Sequence, residues 1–301
     1  MLSLTVNKHN AEQRLDRFLR KAFPAASLSM LFAVIRKKKV RVNGAVGKAA
    51  QMLCENDALR IYENLPQEPP KNVKKSFCDV DEKLDFVFQN SDFAVLNKPC
   101  GMASQSGSGI SEEESLAGIL DIWAKGMDLD FKPALVHRLD KETSGLIIAA
   151  LSGQALREFG RMLREREIKK EYLALAKGVM PQKSGKISMP LPGDEKTSES
   201  VWKTEKSFGE CSLVRVGLKT GRKHQIRIHF AQIGHPLLGD SRHGDFALNK
   251  RFKKEFGLSR LFLHSAFLEF NWQGKKIKLE SNLPEELEKC CSLLNNAIFA
   301  I

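Results

Sequence analysis

A chain of 301 residues with 42% hydrophobic and 28% charged side chains has room for two domains of ordinary size and enough apolar groups for a core, which excludes a disordered or fibrous protein. Lys and Arg outnumber Asp and Glu by 48 to 36, a formal +12, and residues 1–62 alone hold 12 basic against 4 acidic side chains. That imbalance points to a polyanion-binding module at the N-terminal end and not to an evenly basic surface.

No apolar stretch reaches the length of a membrane span, and no cationic-then-apolar leader opens the chain. The six cysteines (Cys54, Cys78, Cys100, Cys211, Cys290, Cys291) form no Cys-x-x-Cys pair and no zinc-spaced set. A cytoplasmic protein with reduced thiols and no metal site is the expectation.

In chain order, residues 12–22 place Leu15, Phe18, Leu19 and Ala22 at helical spacing. A second helix is expected from 29 to about 38, with Leu31, Val34 and Ile35 on one side. Val40-Arg41-Val42, the turn Asn43-Gly44 and Val46 read as a hairpin, because Asn-Gly suits the turn that matches strand twist. A strand over 58–62 closes this unit after a turn at Asn56-Asp57.

Residues 63–80, with Pro66, Pro69, Pro70 and then Lys71, Lys74 and Lys75, read as an extended linker. The larger domain is placed at 81–301. Its expected strands are 85–88, 93–97, 171–176, 185–189 and 211–218. Its expected helices are 115–124, 154–166 capped by Ser152, and 284–295 opened by Pro284. A Gly/Ser-rich loop covers 101–109. Strands and helices mix without a βαβ repeat, so the fold class is α+β with a mixed, mainly antiparallel sheet flanked by helices, and not a doubly wound fold.

The run His137-Arg138-Leu139-Asp140-Lys141-Glu142-Thr143-Ser144-Gly145 carries the most chemistry. It sets Asp140 in a polar loop between the short apolar piece 134–136 and the long one 146–151. A carboxylate held between two rigid elements is suited to act as nucleophile or base. Arg138 and Lys141 favour its ionised form and attract an anionic substrate.

The N-terminal order of helix, helix, basic strand and hairpin resembles the S4 RNA-binding domain over residues 1–62. The matching pieces are Arg14-Leu15-Asp16-Arg17-Phe18-Leu19, Ile35-Arg36-Lys37-Lys38-Lys39-Val40-Arg41-Val42-Asn43-Gly44 and Asn56-Asp57-Ala58-Leu59. The resemblance implies RNA contact through Arg36, Lys37, Lys38, Lys39 and Arg41, in which cations replace the counterions of phosphates. A solvated helix end would also account for them, since cations suit a helix C-terminus.

The Asp140 run resembles the signature of the RluA-type pseudouridine synthases. Further pieces in that family's order are Asn97-Lys98-Pro99-Cys100-Gly101-Met102, Lys169-Lys170-Glu171-Tyr172-Leu173-Ala174, Thr220 to His229, Gly234-His235-Pro236-Leu237-Leu238-Gly239-Asp240 and Leu261 to Ala266. With the S4 unit and the Gly107-Ser108-Gly109-Ile110-Ser111 loop, they point to the RluC/RluD subgroup.

That resemblance implies isomerisation of uridine to pseudouridine in large-subunit ribosomal RNA, precursor or partly assembled, by a monomer. The reaction oxidises nothing and imports no group, so no cofactor is expected. Asp140 falls on the family's catalytic aspartate, as nucleophile or as the base that starts glycal formation. Arg227 falls on its ion-pair partner and Tyr172 on the tyrosine that stacks on the target base and could assist removal of the C5 proton. Arg138 would fill the space left by the flipped nucleotide.

Arg222 and His224 are candidates for phosphate contact or for bracing a loop. His137, Lys98 and His264 lie in the same motifs, and a structural role suits Lys98 and His264 at least as well. Segment 224–233 reads as a helix with Ile226, Phe230 and Ile233 inward, though its alternation also fits a strand.

Two departures from the family pattern, Ala103-Ser104-Gln105 and Ser241-Arg242-His243-Gly244, bear on substrate choice. The competing readings are a non-catalytic S4-type ribosome-assembly protein and a synthase acting on tRNA. A kinase-like use of His-Arg-Leu-Asp lacks the glycine-rich loop and Asp-Phe-Gly that would support it.

Overall fold

The computed structural model describes residues 2–23, 26, 28–63, 65, 83–107, 110–127, 129 and 131–298. The chain divides into two compact units, residues 1–77 with 129–131 and residues 78–128 with 132–301. The expected linker at 63–80 falls almost wholly outside the described residues, as do Ser108 and Gly109.

The first unit runs β1 (Leu2–Thr5), β2 (Gln13–Arg14), α1 (Leu15–Ala22), α2 (Leu28–Arg36), β3 (Val40–Val42), β4 (Ala45–Val46), β5 (Met52–Leu53) and β6 (Ala58–Ile61). Four strands form a sheet in the order β1-β6-β3-β4, and β2 pairs with β5. The first helix starts three residues later than its polar lead-in suggests. Glu12 sits at φ +56°, and the Leu15 and Asp16 N–H groups donate to Gln51 and Ala49. Apolar spacing fixes the buried face, but it is silent about where polar residues 12–14 leave the helix.

The Asn43-Gly44 turn has φ +50° and +83°, the two positive values its turn type requires. Leu15, Leu19, Val40, Leu53, Leu59 and Ile61 are fully buried. Period-2 alternation along β3 buries Val40 and Val42 and leaves Arg41 in solvent, and Arg36, Lys37, Lys38 and Lys39 are exposed beside it.

The second unit comprises β7 (Phe86–Gln89), β8 (Phe93–Lys98), α3 (Leu116–Gly126), β9 (Ala134–Leu135), β10 (Ser144–Ala150), α4 (Gly153–Glu165), β11 (Lys169–Lys177), β12 (Ser184–Pro190), β13 (Thr197–Ser207), β14 (Cys211–Leu218), α5 (Gln225–Gln232), α6 (Phe246–Phe256), β15 (Leu263–Trp272), β16 (Lys275–Glu280) and α7 (Glu285–Ile298). Its sheet runs β12-β13-β14-β11-β15-β10-β8-β7, with β16 paired to β15 and β9 to β10. Only the β10–β15 pairing is parallel, so the sheet is mixed and mainly antiparallel, as expected.

Successive residues of β10 feed opposite faces. Ile147 and Ala149 join Tyr172, Leu116, Leu120, Ile226 and Phe230 in one core. Leu146 and Ile148 join Phe159 and Met162 of α4 in another. Ser152 caps α4 by accepting the Ala155 N–H at 3.1 Å. Phe159 is fully buried, and its truncation to Ala would cost about 3–5 kcal/mol.

Three stretches went unread in the sequence. The eleven-residue β13 buries Ser198, Ser200 and Trp202 on alternate positions, and two inward serines hide the apolar period. The hairpin joining β15 to β16 turns at Gln273-Gly274, with φ +49° and +78°, a pair without the usual Asn-Gly signal. Helix α6 begins at Asp245, whose side chain accepts the Leu248 N–H at 3.0 Å. Among the described residues no helix is long and apolar enough to cross a membrane.

Candidate active site

Residues 136–143 carry Asp140 between β9 and β10. Thr143 N–H donates to the Asp140 carbonyl at 3.0 Å, which folds the loop back before the strand. Buried Ser104 donates to the Leu139 carbonyl at 2.7 Å and accepts the Leu139 N–H at 3.0 Å. At the loop's exit Gly145 has φ +107°, and a Cβ there would lie 2.3 Å from the Ser265 carbonyl oxygen. Only glycine lets β10 meet β15 at that point.

Two of the sequence candidates turn out to brace this loop. Lys98 is fully buried and donates to the carbonyls of Pro99 at 2.9 Å and Met102 at 2.8 Å. Burial pushes its ammonium down to about 8. His137 accepts the Ile148 N–H on Nε2 at 3.3 Å, and burial, followed by the charge of Lys170, pushes its imidazole down to about 3. Both were candidates for RNA contact, and a structural role suited Lys98 at least as well. Their polar atoms are instead committed to backbone groups, which buried chain requires. His264 is likewise buried, with Nδ1 2.9 Å from the Ser144 hydroxyl.

Arg227 enters from α5, and the segment is a helix and not the alternating strand. His224 stands at its start with φ +55°, and Gln225 locks the preceding turn by accepting the Arg222 N–H at 3.1 Å and the Thr220 hydroxyl at 2.8 Å. Ile226 and Phe230 then point into the core.

Arg227 was expected on the border of that face, in a partly buried pair with Asp140. That pair is present, but Arg227 itself is 1% exposed and its fork closes on Asp240, with Nε and Nη2 each 2.7 Å from a carboxylate oxygen. Nη2 also lies 2.9 Å from Glu142, while Nη1 is 3.5 Å from Asp140. A buried guanidinium needs a bidentate anion more than a partly solvated loop carboxylate can supply.

Asp240 is fully buried and accepts the N–H groups of Arg242 at 2.8 Å and His243 at 2.9 Å. Burial alone would raise its carboxyl, but the Arg227 guanidinium and those two N–H donors outweigh it and hold the group below the usual carboxylate range. Gly239, at φ +76°, delivers it: a Cβ there would sit 1.9 Å from the Arg260 carbonyl oxygen.

His224 Nε2 lies 3.8 Å from the same Asp140 oxygen that faces Arg227, and its Nδ1 lies 3.2 Å from His243 Nε2. Burial lowers the His224 imidazole more than the Asp140 charge raises it.

Tyr172 of β11 is 6% exposed. Burial, then the charge of Asp140, moves its phenol upward from its ordinary value, away from the range in which it could accept a proton near neutral pH. Asp140, Tyr172, Arg227, His224, Arg138 and Arg222 line one open cleft of about 950 Å³. Arg138 and Arg222 are exposed, and Arg222 is paired with Asp194. The remaining candidates, Arg36, Lys37, Lys38, Lys39 and Arg41, belong to the first unit.

Sequence reasoning did not single out Asp240 or Glu142, and it read Ser104 and His243 only within departures that bear on substrate choice. Asp240 ends a quoted motif directly after a glycine, and that signal could have marked it as a fixed carboxylate.

Residues 92–232 match the family model described as RNA pseudouridylate synthase, and residues 13–59 match the S4 domain. Over a 313-residue alignment the chain is 33% identical to the ribosomal large subunit pseudouridine synthase C of Escherichia coli K12, covering 98% of this chain and 97% of that protein. The chain belongs to the RNA pseudouridylate synthase family.

The protein of the same name from Buchnera aphidicola is 32% identical to this pseudouridylate synthase, with 92% of each chain covered. Two human structures share the fold. RNA Pseudouridylate Synthase Domain Containing 4 has a TM-score of 0.62 at 21% identity, covering 73% of this chain and 95% of that one. RNA Pseudouridylate Synthase Domain Containing 1 has a TM-score of 0.56 at 24% identity, covering 78% and 98%. As a pseudouridylate synthase the protein is an RNA isomerase.

Proposed function

We propose that this enzyme isomerises selected uridines of large-subunit ribosomal RNA and that Asp140 is its catalytic carboxylate. One observation carries the reading. Asp140 faces the cleft with its side chain 26% exposed, 3.5 Å from a guanidinium whose position is fixed elsewhere, whereas Glu142, also on the cleft, has one oxygen 2.9 Å from Arg227 and the other accepting the Ser241 hydroxyl at 2.8 Å. The substrate class follows the relatives, which are named for the large ribosomal subunit.

The reaction breaks the N1–C1′ bond, turns the base and joins C5 to C1′. The proton at C5 is lost and N1 gains one, so the net change is zero and nothing is oxidised. Asp140 can open this sequence by attack on C1′ or by removing the C2′ proton. Either way, Arg227 supports the ionised oxygen without reorganising, because Asp240 already holds its fork.

Tyr172 offers a flat neutral ring for the flipped base. Arg138, exposed on the cleft wall, is placed to occupy the vacated stack. His224 and Arg222 meet the flanking phosphates. The N-terminal unit, with its boundary near residue 62 and a linker to about 80, adds phosphate contacts through Arg36, Lys37, Lys38, Lys39 and Arg41. The enzyme works as a cytoplasmic monomer on precursor or partly assembled ribosomal RNA.

The test is tritium release from RNA labelled at C5 of uridine, with wild type and Asp140→Asn, beside a map of pseudouridines in ribosomal RNA from cells lacking the gene. Release by wild type alone, with sites lost from large-subunit RNA, is expected. Equal release by both proteins removes Asp140 from the mechanism. Sites lost only from tRNA overturn the substrate.

A further inference from the structure

A second groove, of about 500 Å³, lies on the same unit between the end of α4 and strands β11, β13 and β14. Its walls carry Arg166, Lys169, Lys170, Lys203, Lys219 and Arg222. Glu171 is the carboxylate among its lining residues, and it is already engaged, 2.7 Å from Lys169 and 3.6 Å from Arg215. Arg222 pairs with Asp194 and Arg215 with Glu205. Arg166, Lys170, Lys203 and Lys219 have no ion-pair partner among the described residues.

Lys203 also stands directly opposite Arg215 in the β13–β14 register. Arg215 is neutralised by Glu205 and Glu171, which leaves Lys203 as the cation of this pair without a carboxylate among the described residues. Between the cations the lining is apolar, with Ile168, Val201 and Leu218. Cationic walls over an apolar floor suit a chain of phosphates joined by sugars and bases.

The groove is not isolated. Lys170, Leu218, Gly221 and Arg222 line both it and the catalytic cleft, so the two depressions share a rim. Burial lowers the Lys170 ammonium from its ordinary value, the mark of a cation kept on that rim without a counterion.

We infer that this groove is a second RNA track, in which the strand flanking the target nucleotide leaves the cleft over Lys170 and Arg222 and lays its phosphates against Arg166, Lys203 and Lys219. The inference rests on RNA occupying the cleft, and it holds whichever RNA that is. Its occupant is the substrate's own strand and not a separate acidic protein, because the groove opens into the place where the target nucleotide must sit.

The test uses the full chain and any RNA on which wild type releases tritium, so that a wrong assignment to ribosomal RNA leaves it standing. One variant carries Arg166→Glu, Lys203→Glu and Lys219→Glu. A control with the same change in net charge carries Lys250→Glu, Lys253→Glu and Lys289→Glu on α6 and α7, where all three are exposed. Melting temperatures verify that both fold, and a milder Arg166→Gln, Lys203→Gln, Lys219→Gln variant replaces the first if it does not.

The groove variant is expected to bind at least about tenfold more weakly, with a salt slope shallower by roughly 2–3, as the loss of three phosphate contacts requires. The control should bind within about twofold of wild type. Equal weakening by both variants would reduce the groove to long-range charge. Wild-type affinity and slope in the groove variant would remove the track altogether.

Discussion

Two short turns bring carboxylates to the same guanidinium, and they do so in opposite environments. The loop 137–143 presents Asp140 with its side chain 26% exposed and 3.5 Å from Arg227. The turn after Gly239 seals Asp240 completely and holds it 2.7 Å from two guanidinium nitrogens. The sealed carboxylate satisfies the buried charge. In the proposed mechanism the exposed one does the chemistry, which leaves the buried charge paired throughout. A single Asp serving both needs would have to leave its structural partner in order to do chemistry.

This division can be broken from either side. Asp140→Asn is expected to lower the isomerisation rate by about 10⁴-fold or more while shifting stability by no more than about 0.5 kcal/mol. Tritium release and urea unfolding measure the two, and a large loss of stability would erase the distinction between the turns.

Asp240→Ala should cost about 3–5 kcal/mol, because it leaves a guanidinium buried and unpaired. The double variant Arg227→Met, Asp240→Leu should recover most of that stability and yet stay inactive. Recovery of activity with stability would show that Arg227 serves only the fold.

Arg227→Lys keeps the charge and loses the fork. A fall of about 10²-fold in kcat, with KM little changed, is expected from single-turnover kinetics. An unchanged kcat would mean that fixed geometry at this residue is dispensable.

A smaller effect should appear with pH. Burial pushes His264 down to about 4 from its ordinary 6.5, so the unfolded chain takes up the proton first. Its contribution is whole above pH 6.5 and is lost as pH falls toward 4, at up to about 1.4 kcal/mol per pH unit. Unfolding by urea at pH 7, 6 and 5 should trace this decline together with that of His137, and His264→Asn should make it shallower by the His264 share. A slope unchanged in the variant would place the acid lability elsewhere.

The smallest change is expected in the first unit. Lys37→Gln, Lys38→Gln and Lys39→Gln together should make the salt dependence of RNA binding shallower by roughly 2–3 without altering the rate at saturating RNA. A slope equal to that of wild type would return these residues to the role of a solvated helix end.

Much of this was readable in the sequence wherever a residue's type alone dictates its geometry. Asn43-Gly44 turned as read, since few pairs tolerate two positive φ values. Ser152 capped α4, and Leu15, Phe18 and Leu19 found the core. The reading fell short where a polar side chain turned inward to a partner that residue type does not reveal. Lys98 and His137 are polar and lie in catalytic motifs, but their polar atoms go to backbone at Met102 and Ile148. The strand β13 was hidden because its inward Ser200 bonds His229 of α5 at 2.9 Å, a contact that lets a serine occupy an apolar position.

By itself the sequence determined the α+β class, the Asp140 loop and several of the side chains that reach the cleft, because motif spacing and local turn chemistry are properties of neighbouring residues. Only the tertiary structure decided which acid the guanidinium would hold. Asp140 and Asp240 are 100 positions apart in the chain, and the choice between them depends on which one the packed sheet and α5 shut away from water.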